Sequence, residues 1–263
     1  MLVANSNTID NFITFIDEHR YDVIGTISFA GSDPNSGPFA TGLSADGIEQ
    51  CVFNPRDGKF YINIAAVVPI PPSTNTQGYT LRISAGPPFE VEAAFQIPKT
   101  SGCTGGSGLA VGPAHQLALA CGTPSANSLI ISDLFDGTAI PAGPGGADAA
   151  WYNSGTNHYY YGAYMASPTL IVGVVDAGST TSCNTTPVLS GCPTPDQSIP
   201  TFGGFPHSVA ADSVSNQVYV PIRSNFFGRK ATVCSSFTGN TANDVQGCIA
   251  GCRRGPARQQ LKP

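Results

Sequence analysis

The chain has 263 residues, a net charge of −5 and only 11% charged residues, against roughly a quarter in ordinary soluble domains. With 41% apolar residues it can build a sizeable core, which excludes wholesale disorder, and its acidic balance excludes the electrostatic footprint of a nucleic-acid binder. No apolar run approaches the roughly 18 residues that carry a helix across a bilayer.

The chain opens on "LVANSNTIDNFITFID", residues 2–17, two apolar runs separated by turn formers, with His19 just past the second. Residues 47–65, "GIEQCVFNPRDGKFYINIA", read as a strand, a Pro-Arg-Asp-Gly turn and a stronger strand. Glu49 stands at the mouth of the first. "SGCTGGSG" follows; it is glycine-rich but lacks the Lys-Ser/Thr ending of a phosphate-binding loop, so it reads as a plain loop. "GSGLAVGPAHQLALAC" and "ADAAWYNSGTNHYYYGAY" repeat the strand, turn, strand pattern. His115 and His158 fall at their turns, where exposure is expected, while Trp151, Tyr152 and the tyrosines of "HYYYGAY" are expected to pack the core. "TLIVGVVDA" is a strand, and "PHSVAADSVSNQVYVPI" gives the pattern once more.

Eight cysteines suggest an oxidising compartment. Cys103 with Cys121, Cys183 with Cys192, and Cys234 with Cys248 bracket loops as local disulfides do. Zinc is the alternative, but there is no Cys-x-x-Cys and no histidine near Cys248 and Cys252. An exported protein is expected, although no signal peptide precedes "LVAN".

No stretch has a capped 3.6-residue stripe, and the strand pairs repeat. "LVANSNTIDNFITFID" aligns without a gap to "ALACGTPSANSLIISD", so the chain starts at the second strand of a unit. Units of four short strands, 41 to 59 residues long, are the pattern of a β-propeller. The expected fold is therefore all-β, a partial propeller of about four blades over residues 1–250, with partial first and last blades. A sandwich is the runner-up. Residues 251–263 hold four of the twelve Lys and Arg and are expected to be a disordered basic tail. Open strand edges must be covered, by a homodimer or by closure within the chain, and the homodimer is the expectation.

The motifs "GIEQCVFNPRDGKFYINI", "GLAVGPAHQLALAC" and "HSVAADSVSNQVYVPI" resemble a family of bacterial seven-bladed propellers, mostly exported and related to YVTN/NHL-type repeat proteins. The resemblance implies that the first two blades and part of a third are missing here. The segment around Glu49 also resembles the opening of calcium-dependent propeller hydrolases, gluconolactonase and diisopropylfluorophosphatase among them, where the matching glutamate is a metal ligand. Glu49 and Asp148 fit that ligand pattern, whereas Ser107 and His207 depart from it.

Counted back from the turns, Glu49, Ser107, Asp148 and His207 each lie five residues before Asn54, Gly112, Asn153 and Asp212. In a propeller these equivalent positions meet at the mouth of the central channel. Two carboxylates and an imidazole suit a divalent cation, Ca²⁺, Mn²⁺ or Zn²⁺. The expected activity is metal-dependent hydrolysis of an activated ester, lactone or phosphotriester, a small-molecule substrate, with no nucleic-acid or membrane partner. Glu49, Asp148 and His207 would hold the metal, His207 and Asp148 would act in catalysis, and Ser107 would contact substrate. A Ser107–His207–Asp148 triad ranks lower, because "GGSGL" is not the strained elbow of a nucleophilic serine. The other class is a non-catalytic platform that binds protein or glycan through loops such as 69–79 or 179–200.

Overall fold

Strand follows strand, and among the described residues no α-helix interrupts them. The computed structural model describes residues 1–6, 10–69, 77–166, 169–183, 190–201, 204–223, 247–253 and 260–262. The all-β expectation holds, and the sheets are antiparallel with three to five strands each. The chain divides into two units, Met1–Leu109 and Ala110–Pro263.

In the first unit, β1 (Leu2–Asn5), β2 (Phe12–Ile16) and β3 (Val23–Ser28) form a three-stranded sheet in chain order. A second sheet follows with β4 (Leu43–Asn54), β5 (Lys59–Pro69), β6 (Tyr79–Ile83) and β7 (Val91–Gln96), again in chain order. Alternation along the strands sends Ile13, Phe15, Ile27, Ile62, Ile64 and Leu81 into one apolar cluster. Glu49 was expected at a strand entrance, but it sits in the middle of the twelve-residue β4. The ladder pairs Ile48 with Ile64 and Cys51 with Ile62, so Glu49 and Gln50 together oppose Asn63. This is a β-bulge, a device that re-aims a side chain out of the regular pleat. Gly47, at φ +89°, supplies the left-handed backbone just before it.

The boundary between the units falls inside β8 (Gly106–Val111), which is joined in a sheet by β9 (Gln116–Cys121), β10 (Ser128–Ser132) and β11 (Ala139–Gly143), in the order β11-β10-β9-β8. Next come β12 (Ala149–Asn153), β13 (His158–Ala163), β14 (Ile171–Asp176) and β15 (Thr194–Pro200), also in chain order. The last sheet holds β16 (Phe205–Pro206), β17 (Ala210–Asp212), β18 (Gln217–Arg223), β19 (Gly247–Arg253) and β20 (Gln260–Lys262). Both β16 and β17 pair with β18, and His207 lies in the break between them. The stretch expected as a basic tail contributes the end of β19 and all of β20.

The repeat has a recurring hairpin detail. Gly58, His115, Asn157 and Asn216, at corresponding turns, all have φ between 57° and 69°. This left-handed backbone favours Gly and Asn. Asn157 reaches from its turn to Asp176 at the end of β14, 3.4 Å, and His115 reaches to Asp133, one position further along beyond β10, 2.8 Å. The next backbone contacts match too, since Asp133 N–H donates to His115 O and Ala177 N–H to Asn157 O. His115 is therefore the counterpart of a turn asparagine, half exposed as expected.

Tyr159, Tyr160 and Tyr161 are buried as expected. Two residues depart from expectation. His158 is 5% exposed and its Nε2 faces Asp196 at 3.4 Å. The ladder pairs Val174 with Gln197 and Val175 with Pro195, so Asp196 is an extra bulged residue able to meet a histidine that the sequence places in open solvent. Trp151 is 41% exposed, because its indole N–H donates to Ala211 O, 3.1 Å away on β17, instead of entering the core. Cys183 and Cys192 form a disulfide, and Cys103 and Cys121 are disulfide-bonded as well. Cys234 lies outside the described residues, as do residues 70–76 and 184–189 of the two loops named above.

Candidate functional site

In the first unit, Asn63 organises the surroundings of Glu49 and Ser107. Its side chain is fully buried. Nδ2 donates to Ser107 O at 3.2 Å and Gly108 O at 3.1 Å, while Thr80 Oγ1 donates to Oδ1 at 2.7 Å. Every hydrogen-bonding face of this amide is thus engaged, as burial demands. Beside it, Gln50 Oε1 accepts from Leu109 N–H at 3.4 Å. The bulge bearing Glu49 and Gln50 therefore lies along the segment bearing Ser107. Both Glu49 and Ser107 are partly buried.

In the second unit, Asp148 and His207 come together. His207 Nδ1 lies 2.9 Å from Asp148 Oδ2. Asp148 is placed just ahead of β12, with its N–H donating to Gly162 O at 3.0 Å. His207 is placed by the segment after β16, which lies against β13 at Gly162. A Cβ on Gly162 would meet Pro206 O at 2.7 Å and His207 O at 3.2 Å, so the absence of a side chain there admits the His207 backbone. Strands β12 and β17 continue side by side beyond the pair, as the Trp151–Ala211 hydrogen bond shows.

The imidazole is also packed. Its ring centroid lies 5.1 Å from Tyr164 with planes 30° apart, and 5.8 Å from Phe205 with planes 28° apart. Tyr164 and Phe205 touch each other at 4.5 Å. Phe205 is buried and Tyr164 half-buried. The His207 side chain remains 55% exposed and that of Asp148 25%. Burial pushes the Asp148 carboxyl above the ordinary carboxylate value, and the neighbouring His207 charge pulls it partly back.

With Asp148 ionised, the bond requires Nδ1 to carry the proton, which leaves the lone pair on Nε2. Among the described residues Nε2 has no partner. A histidine oriented through Nδ1 and open at Nε2 can accept a proton or ligate a metal, and in both roles the carboxylate behind it fixes the orientation of the ring. Asp148 and His207 are one oxygen and one nitrogen donor, a set that suits Mn²⁺ or Zn²⁺. Among the described residues no group of three or more His, Cys, Asp and Glu is disposed to hold a metal ion.

The sequence reading assigned roles to both members of the second-unit pair but missed Phe205 and Tyr164, which lie off the repeat position. Gly162 was missed as well, though a glycine inside the otherwise bulky "HYYYGAY" was a signal of close backbone approach. No protein-family model and no curated protein matches this chain.

Proposed function

We propose that the protein hydrolyses activated esters, lactones or phosphotriesters at Asp148 and His207. The observation that carries this reading is the 2.9 Å contact between Asp148 Oδ2 and His207 Nδ1, on an imidazole that stays 55% exposed. His207 Nε2 takes a proton from water as the water oxygen bonds to the carbonyl or phosphoryl centre. The bond to the leaving oxygen then breaks, and the imidazolium returns its proton to that oxygen, giving acid and alcohol. Asp148 holds the ring in the required tautomer and steadies the positive charge.

In this reading the sheets are blades of a partial β-propeller, like the exported YVTN/NHL-type proteins, and Glu49, Ser107, Asp148 and His207 hold one repeated position in their blades. The support is the repeat register, together with the side-by-side inner strands of Asp148 and His207. Asp148 would help to hold a divalent cation (Ca²⁺, Mn²⁺ or Zn²⁺), with His207 either as a further ligand or as the base, and the ion would polarise the reacting oxygen and acidify bound water. Ser107 would contact substrate. The two disulfides are compatible with export, and a homodimer would cover the open sheet edges.

The test is hydrolysis of a lactone, an aryl ester and a phosphotriester before chelation, after it, and with each cation restored singly. Hydrolysis that His207→Ala abolishes supports the pair, and its loss on chelation with recovery by one cation supports the metal. No hydrolysis of any substrate overturns the reading in favour of a binding platform.

A further inference from the structure

A cavity of about 330 Å³, lined by neither Asp148 nor His207, lies in the second unit where β11 meets β14 and β15. Its volume falls within the range of small-molecule sites. Two lining glycines fix its walls. A Cβ on Gly173 would come within 2.4 Å of the Pro144 ring, and one on Gly143 within 2.9 Å of the Tyr161 ring. Backbone and ring are thus in direct contact at both places, so the cavity is preformed and a ligand enters it with little reorganisation.

The lining selects by chemistry. Pro141, Pro144 and Pro195 give rigid apolar surface, while Asn127, Gln197 and Ser198 are neutral and polar. All three polar residues are exposed, and among the described residues their side chains have no hydrogen-bond partner. Carboxamides and hydroxyls both donate and accept, which matches the alcohol groups of a ligand. A wholly apolar ligand would strip these groups of water without replacing it. Asp196 is the one ionisable residue of the lining, and its carboxylate faces His158 Nε2 at 3.4 Å. No lysine or arginine lines the cavity, so an anion finds no charged donor there. A peptide strand is disfavoured as well, because Pro141 on β11 and Pro195 on β15 lack the N–H groups that strand addition uses.

We infer that this cavity binds one neutral sugar ring. A pyranose offers C–H faces for the proline walls and a rim of hydroxyls for Asn127, Gln197 and Ser198, and it carries no charge. The site shares no lining residue with the Asp148–His207 pair, so the inference and the hydrolytic reading stand or fall separately.

The test titrates the methyl pyranosides of glucose, galactose and mannose onto the full chain by calorimetry and saturation-transfer NMR. Glucuronic acid, glucosamine and cyclohexanol serve as the anionic, cationic and apolar comparators. At least one methyl glycoside is expected to bind with a Kd of about 1 mM or below, and each comparator at least about tenfold more weakly. Asn127→Ala and Ser198→Ala should each weaken that binding about two- to tenfold, the worth of one hydrogen bond. Thermal unfolding should stay unchanged in both variants, since both side chains are exposed. Three results each overturn the inference: no glycoside bound at about 10 mM, tighter binding of any comparator, or binding that neither substitution weakens. Ester hydrolysis by the same preparation is read separately, and none of these results bears on it.

Discussion

Asp148 and His207 hold the same position in successive repeat units, and their side chains meet at 2.9 Å. One is the residue before a strand and the other occupies a break within one, so neither side chain is committed to a regular pleat. The pair is built from backbone irregularity at a repeated place, with Gly162 opening the room for it.

If His207 moves the proton, His207→Ala should lower kcat/KM for a good ester by about 10²- to 10⁴-fold. The thermal midpoint should barely move, because the side chain is 55% exposed and substitutions at such places usually cost about 0.5 kcal/mol or less. Steady-state kinetics beside thermal unfolding of the same preparation check this. A large fall in the midpoint would mean that the imidazole is structural.

Asp148→Asn should change how stability depends on pH. The folded-state carboxyl is raised above its ordinary value of 3.8 by burial, so the folded chain holds a proton that the unfolded chain has released. That contribution is complete below the ordinary value and is lost as pH rises through the raised one. The wild-type protein should therefore lose stability across this window relative to the variant, and the two curves should run parallel above it. Denaturant midpoints measured at steps between about pH 3 and pH 7 would show it.

Gly162→Ala should damage the site more than the sheet. The added methyl would sit 2.7 Å from Pro206 O, and a backbone carbonyl cannot rotate away as a side chain can. The cheapest relief is for the segment carrying His207 to lift off β13. The expected outcome is a fall of at least about tenfold in kcat/KM, because a misplacement of about 1 Å can cost more than that. The far-ultraviolet circular dichroism should stay unchanged.

His115 and His207 both touch aspartates, yet they should answer substitution differently. His115 occupies a turn position that asparagine fills in the next unit, and each reaches an aspartate near the end of the third strand, Asp133 standing one position later than Asp176. His115→Asn should cost less than about 1 kcal/mol and leave activity intact. His115→Ala should cost about 1–2 kcal/mol, since it removes a bond to a buried carboxylate and places alanine at φ +66°. Chemical denaturation of the two variants distinguishes these outcomes.

Residues that obey the repeat were legible in the sequence. Counting back from each turn placed Asp148 with His207, and it set Glu49 beside the Ser107 segment, because period and register are local properties of the chain. Trp151, His158 and Glu49 were misread for one shared reason. Each depends on a partner strand: Trp151 on the carbonyl of Ala211, His158 on the bulge that presents Asp196, and Glu49 on the extra residue opposite Asn63. A bulge is invisible to alternation counting, since it changes which residues face each other without changing composition. The aromatic backing of His207 was hidden similarly, as Tyr164 reaches it from a loop after a neighbouring strand.

In four of the five sheets every strand is hydrogen-bonded to the strand that precedes or follows it in the chain. Most of their connections are short, the 177–193 link between β14 and β15 being the long one, and short loops cost little chain entropy to form. Refolding should then proceed as several local events, and the connections between sheets become natural points for splitting the polypeptide into fragments that complement one another. The residues of the candidate site are an exception. Asp148 and His207 belong to different sheets, so their contact forms only when finished sheets dock, and formation of that contact should trail the recovery of strand signal.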